Sequence, residues 1–163
     1  MSDDQEIKDK IIITALKNIN FDGWNKETIL EGFISNKIKV EDYELLFPNG
    51  IVDTIIHFAD MSDRLMIKEF KRTDNSELRT PDKIKQLLIY RFKILNPYKE
   101  AVRKSIAILA LPKNSKFALN ALYKTTDEIW RAVGDRSTDF SFYTKRASLA
   151  SVYSTTKMSW LGS

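Results

Sequence analysis

The 163-residue chain contains no cysteine, which excludes disulfide bonds, thiolate metal sites and cysteine nucleophiles together. It has one histidine, whereas a di-iron carboxylate bundle needs two Glu-x-x-His motifs. Glycine and proline are scarce, at five and four residues, and they fall at breaks between long amphipathic stretches. No apolar run approaches the roughly 20 residues that cross a bilayer as a helix, and no basic-then-apolar leader is present. A phosphate-cradling glycine loop and a dinucleotide fingerprint are also missing. The first six residues, from Met1 to Glu6, are acidic and polar, the opposite of a transit peptide. A reducing, cytoplasmic setting is therefore expected.

Hydrophobic residues at 43% and charged residues at 29% are ordinary globular values, and the length suits a single domain, residues 1–163, with a real core. Net charge is mild at +4, from 26 basic and 22 acidic residues. It favours weak attraction to anionic surfaces without selecting nucleic acid over lipid headgroups.

Helical spacing of apolar residues recurs along the whole chain, and no stretch alternates as a half-buried strand does. Ile11, Ile12, Ala15, Leu16 and Ile19 share one face of a first helix. Asn25 is a good N-cap for a second, carrying Ile29, Leu30, Phe33 and Ile34. A short element over about 40–47 ends at Pro48, and a long helix follows over about 49–73. Thr80-Pro81 opens another helix, and Asn96-Pro97 and Pro112 mark the next two breaks. The penultimate helix ends at Gly134, which is free to adopt the left-handed conformation that closes a helix. The last spans about 139–156, with Ser137, Thr138 and Asp139 available to cap it. The fold class is all-α, with about eight helices.

Chemistry has few groups to rest on. His57 has Asp53 four residues before it and Asp60 three after, so a carboxylate neighbour on its own helix is available. Nothing in the spacing supplies a nucleophile for it. Asp127, Glu128 and Asp135 lie near helix ends, where carboxylates act as caps or surface charges. No intrinsic enzyme activity and no cofactor are expected.

The segment Gly134-Asp-Arg-Ser-Thr-Asp-Phe-Ser-Phe-Tyr-Thr-Lys-Arg146 carries more polar and aromatic detail than a helix–helix corner requires. It resembles the signature of the Coq-nine family of ubiquinone-biosynthesis accessory proteins. The likeness continues through Ala147 to Thr156, and upstream through Asp127 to Trp130 and Leu109 to Asn114. It reaches Asp22-Gly23-Trp24 and the run from Leu46 to Gly50 near the N-terminus. The resemblance implies a TetR-like fold, with a degenerate helix-turn-helix over 1–48 and a larger ligand-binding and dimerisation bundle over 49–163. It implies isoprenoid lipid binding, including ubiquinone and its precursors, and partnership with a di-iron hydroxylase acting on the ring.

On that implication the lipid would lie among Met61, Leu65, Met66, Phe70, Ile84, Leu88, Phe92, Leu109 and Trp130. By their residue types alone these positions read as an ordinary filled core, and it is the resemblance that turns the reading to a lipid site. The resemblance also assigns partner contacts to Asp127, Ile129, Asp139, Phe142, Tyr143 and Arg146, a set rich in the aromatic and arginine side chains that interfaces favour. The family commonly has Asn-Trp where this chain has Ser141-Phe142, so the indole donor is lost and the apolar bulk kept. Ala147, Ala150, Ser151 and Ser154 place small residues on successive turns, which permits close helix approach and a symmetric dimer of the kind TetR-like proteins form.

Family members typically continue through an acidic linker into an amphipathic helix that touches membrane, whereas this sequence stops at Ser163. A weak, peripheral membrane contact is expected of it, at the inner face of a bacterial membrane. The alternative is a TetR-family DNA-binding regulator. A recognition helix carries basic and amide groups to the major groove, yet the corresponding element bears Glu41, Asp42 and Glu44. Three carboxylates oppose binding to a polyanion, and no nucleic-acid partner is expected.

Overall fold

The computed structural model describes residues 3–134 and 140–163, without the side chains of Phe140 and Phe142. Among the described residues all regular structure is helical: α1 (Asp3–Asp22), α2 (Lys26–Ser35), α3 (Tyr43–Leu46), α4 (Ile51–Arg72), α5 (Thr80–Leu95), α6 (Lys99–Leu109), α7 (Ser115–Ala132) and α8 (Phe140–Leu161), with three short 3-10 turns. The all-α expectation holds, and this helix order is compatible with a TetR-like layout. The chain divides into two compact units, one running up to Met61 and including Pro97–Ala118, the other comprising Ser62–Asn96 and Leu119–Ser163.

In the first unit, all five apolar residues expected on one face of α1 are buried. They meet Ile29 and Phe33 of α2, also fully buried. The two helices cross at Gly32, where an added Cβ would stand 2.7 Å from the Ile11 carbonyl oxygen. Only glycine permits that approach. Asn25 caps α2 as expected, its Oδ1 accepting from the Thr28 amide at 2.9 Å. The α2 exit turns at Lys37, whose φ of 58° is a left-handed conformation that glycine usually supplies.

Elsewhere in this unit the Trp24 Nε1 donates to the Ala101 carbonyl at 2.8 Å, and its ring packs 5.6 Å from Phe58. Lys104 Nζ donates to the carbonyls of Asn20 and Phe21, satisfying acceptors that the end of α1 would otherwise leave open. The element expected over 40–47 is a 3-10 turn, Val40–Asp42, followed by the single-turn helix α3. Tyr43 and Phe47 from this region stack around Phe33 at ring separations of 6.0–6.2 Å.

The second unit contains the end of α4, α5, most of α7, and α8. Met66, Phe70, Leu87, Leu88, Ile129, Leu149 and Tyr153 form its core. Pro81 sits in the first turn of α5, where its missing amide is no loss. Gly134 adopts a φ of 91° and its amide bonds the Arg131 carbonyl, closing α7 as the sequence suggests. The expected caps Ser137, Thr138 and Asp139 lie outside the described residues. α8 runs five residues beyond the expected end at 156. Its last turn is held by packing: Trp160 lies 5.1 Å from Phe92, and Leu161 is buried.

Candidate functional site

The second unit's core is crossed by a polar network that apolar periodicity does not reveal. Asp63 of α4 and Arg91 of α5 pair at 2.5 Å with side chains 4% and 5% exposed. Arg91 Nε also donates to the Tyr153 hydroxyl of α8 at 2.7 Å, and Thr125 of α7 donates to Asp63 at 2.8 Å. Four helices thus meet on one buried ion pair. Burial alone would lower the Arg91 pKa, but Tyr153 and Asp63 outweigh it and leave it raised. The guanidinium stays charged, and among the described residues no buried side-chain nitrogen or oxygen lacks a hydrogen-bond partner. Such a pair contributes little net stability when complete and costs much when one member is removed.

A second polar cluster fastens α7 to α8 at the corner marked by the sequence signature. Asp127 accepts from Arg146 at 3.0 Å and from Arg131 at 2.8 Å. Burial pushes the Asp127 carboxyl upward, but hydrogen bonds and charge from Arg131 and Arg146 outweigh this and hold it below the usual carboxylate range. Beside them Trp130 Nε1 donates to the Lys145 carbonyl at 3.1 Å, and the Lys145 ammonium lies 5.5 Å from the Trp130 ring centre. Lys145 and Arg146 of the signature therefore both serve contacts within the chain.

Six of the nine residues proposed to line a lipid site, Met66, Phe70, Ile84, Leu88, Phe92 and Trp130, belong to or pack against the second unit's core. Leu65 is 45% exposed on α4. Met61 and Leu109 fall in the first unit, where Met61 is buried and Leu109 half-buried. Of the residues assigned to a partner, Ile129 is fully buried, Arg146 nearly so, and Tyr143 is 66% exposed. Asp139 and the Phe142 side chain lie outside the described residues. Of the small residues on α8, Ala147, Ser151 and Ser154 are exposed and Ala150 is half-buried.

Two open grooves flank the second half of α4. One, of about 470 Å³, is bordered by Arg64, Ile67, Lys68, Lys71, Arg72 and Glu128. The other, of about 440 Å³, lies between α4 and α5 and includes Leu65, Tyr90, Lys93 and Ile94. In the first unit, His57 Nε2 stands 2.6 Å from Asp9 Oδ1 of α1, a carboxylate outside its own helix. Among the described residues no group of three or more histidine or carboxylate side chains is arranged to hold a metal ion, and no helix is long and apolar enough to cross a membrane.

Fold and site together define an all-α protein with an apolar core, a buried ion pair and a cationic, partly apolar surface. Residues 115–163, which include the signature corner, match the family model described as COQ9. The chain is 30% identical over 162 residues to the ubiquinone biosynthesis protein COQ9, mitochondrial, of Homo sapiens, covering 95% of this chain and 51% of that protein. It is likewise 30% identical to the Rattus norvegicus protein of the same name, and 27% identical to that of Drosophila melanogaster, each over 95% of this chain, with 52% and 48% of those proteins covered. The chain is thus similar to COQ9 proteins over nearly all its length, and the family-model match falls on residues 115–163. It spans about half the length of these relatives.

Proposed function

We propose that this protein acts in ubiquinone biosynthesis as a non-enzymatic carrier. It binds an isoprenoid quinone precursor and presents it to a di-iron demethoxyubiquinone hydroxylase. The observation that carries this proposal is the alignment with COQ9 proteins, named for ubiquinone biosynthesis, over 95% of the chain. The clustering of six nominated apolar residues in one unit supports an apolar site for the tail. Burial of apolar area stabilises such a complex by about 25 cal/mol per Å², so the tail needs no polar anchor.

In the same proposal the hydroxylase docks beside Tyr143 at the signature corner. A second copy of the chain packs along Ala147, Ser151 and Ser154, and contact with the quinone-bearing membrane is peripheral. The regulator alternative has less support, because the element in the recognition position is a 3-10 turn and one helical turn, too short to lie along a major groove. Reconstitution tests the role: purified hydroxylase, its reductant and vesicle-embedded precursor are assayed with and without this protein. The expected result is faster ring hydroxylation when the protein is present. An unchanged rate at saturating protein would remove the carrier role.

A further inference from the structure

The cations flanking the second half of α4 are not matched by the carboxylates around them. The two grooves are bordered by Arg64, Lys68, Lys71, Arg72 and Lys93 against Glu69 and Glu128, an excess of three positive charges. Arg72 pairs with Glu69 at 2.8 Å. Lys68, Lys71 and Lys93 make no ion pair among the described residues, and all three are exposed. An ammonium gains from a nearby anion most when no internal carboxylate already satisfies it.

Apolar side chains are interleaved with these lysines. Leu65, which borders the α4–α5 groove, is 45% exposed. Ile89, four residues before Lys93 on α5, is 44% exposed. The Tyr90 hydroxyl lies within 3.2 Å of the Thr73 hydroxyl, which leaves its ring along the groove. Lysines around exposed leucine and isoleucine suit an amphiphile whose phosphate meets the ammonium groups while its acyl region covers the apolar side chains. A purely hydrophilic polyanion would leave Leu65 and Ile89 in water.

We propose that this face of α4 and α5 is a contact for acidic phospholipid headgroups in a bilayer, with Lys68, Lys71 and Lys93 as the phosphate-facing cations and Leu65 as the apolar contact. It locates the membrane contact proposed above and does not depend on quinone carriage. Each such lysine near an anionic surface strengthens partition about fivefold, and the three together on the order of 100-fold.

Vesicle co-sedimentation of the full chain tests this. Quinone-free phosphatidylcholine vesicles with and without anionic phosphatidylglycerol are compared at low and physiological salt. The expected result is binding to the anionic vesicles only, weakened by salt. It should fall on the order of 100-fold in Lys68→Gln/Lys71→Gln/Lys93→Gln. A control with the same loss of net charge, Lys39→Gln/Lys113→Gln/Lys116→Gln, should stay within about fivefold of wild type. Leu65→Ser should weaken vesicle binding and leave binding to a short DNA duplex unchanged. Equal losses in the two triple variants would overturn the proposal, as would wild-type protein that ignores anionic vesicles. A DNA affinity that falls with the α4–α5 lysines while vesicle binding persists would also overturn it. Quinone content, read separately by mass spectrometry, is expected to be the same in all variants, so the carrier role and this surface can fail independently.

Discussion

Replacing Asp63 by alanine should be among the most damaging single changes in the second unit. The substitution leaves the Arg91 guanidinium, 4% exposed, with only the Tyr153 hydroxyl as acceptor among the described residues, and removes the Asp63 acceptor of the Thr125 hydroxyl. Breaking a buried ion pair in this way costs about 3–5 kcal/mol, a large share of the roughly 5–15 kcal/mol that stabilises a typical domain. For a chain of this size each kcal/mol shifts the thermal midpoint by about 2–4 °C, so the expected fall is about 6–20 °C. The assay is thermal unfolding followed by circular dichroism at 222 nm. The double variant Asp63→Leu/Arg91→Met removes both charges and should unfold closer to wild type than Asp63→Ala does, because no orphaned charge remains buried. Asp63→Ala melting within 3 °C of wild type, below the range of about 6–20 °C, would refute this reasoning. So would a double variant less stable than the single one.

Other consequences are equally open to measurement. Gly32→Ala forces a Cβ against the Ile11 carbonyl and should cost about 1–3 kcal/mol, read as a lower urea midpoint; an unchanged midpoint would mean that α1 and α2 separate freely. Because the folded-state pKa of Asp127 is depressed, its contribution is present above the unfolded value of about 3.9 and lost as pH falls through the folded value. Asp127→Asn should therefore be less stable than wild type at neutral pH, and the difference should shrink on acidification; a pH-independent difference would assign the effect to packing. Tyr143→Ala, at a 66% exposed position, should weaken pull-down of the hydroxylase without altering helical circular dichroism, and undiminished capture would remove Tyr143 from the docking surface.

Much of the helical framework is readable from periodicity and caps. The α1 face, the Asn25 cap, Pro81 at the start of α5 and the left-handed Gly134 are all local features, set by residues within a turn or two of each other. What escapes such reading is contact between distant segments. Asp63 and Arg91 are 28 residues apart and Asp63 and Thr125 are 62 apart, so no spacing rule joins them. His57 illustrates the same limit: spacing points to carboxylates three and four residues away on its helix and says nothing of Asp9, 48 residues earlier, whose Oδ1 lies 2.6 Å from the His57 Nε2. At the signature corner, residue type suggests surface recognition for Arg146, yet its side chain is 3% exposed and bound to Asp127. The end of α8 is likewise decided by Trp160 meeting Phe92, a tertiary contact that no local stop signal announces.

Carriage of an isoprenoid quinone is tested most directly by native mass spectrometry of the protein purified from a ubiquinone-producing host, followed by lipid extraction. The predicted spectrum contains a lipid-bound species whose extract holds ubiquinone or a ring precursor, and the signal should fall when Phe70 and Leu88 of the second unit's core are both replaced by smaller apolar residues. Protein that is consistently empty, and that takes up no quinone when incubated with it, would contradict the account.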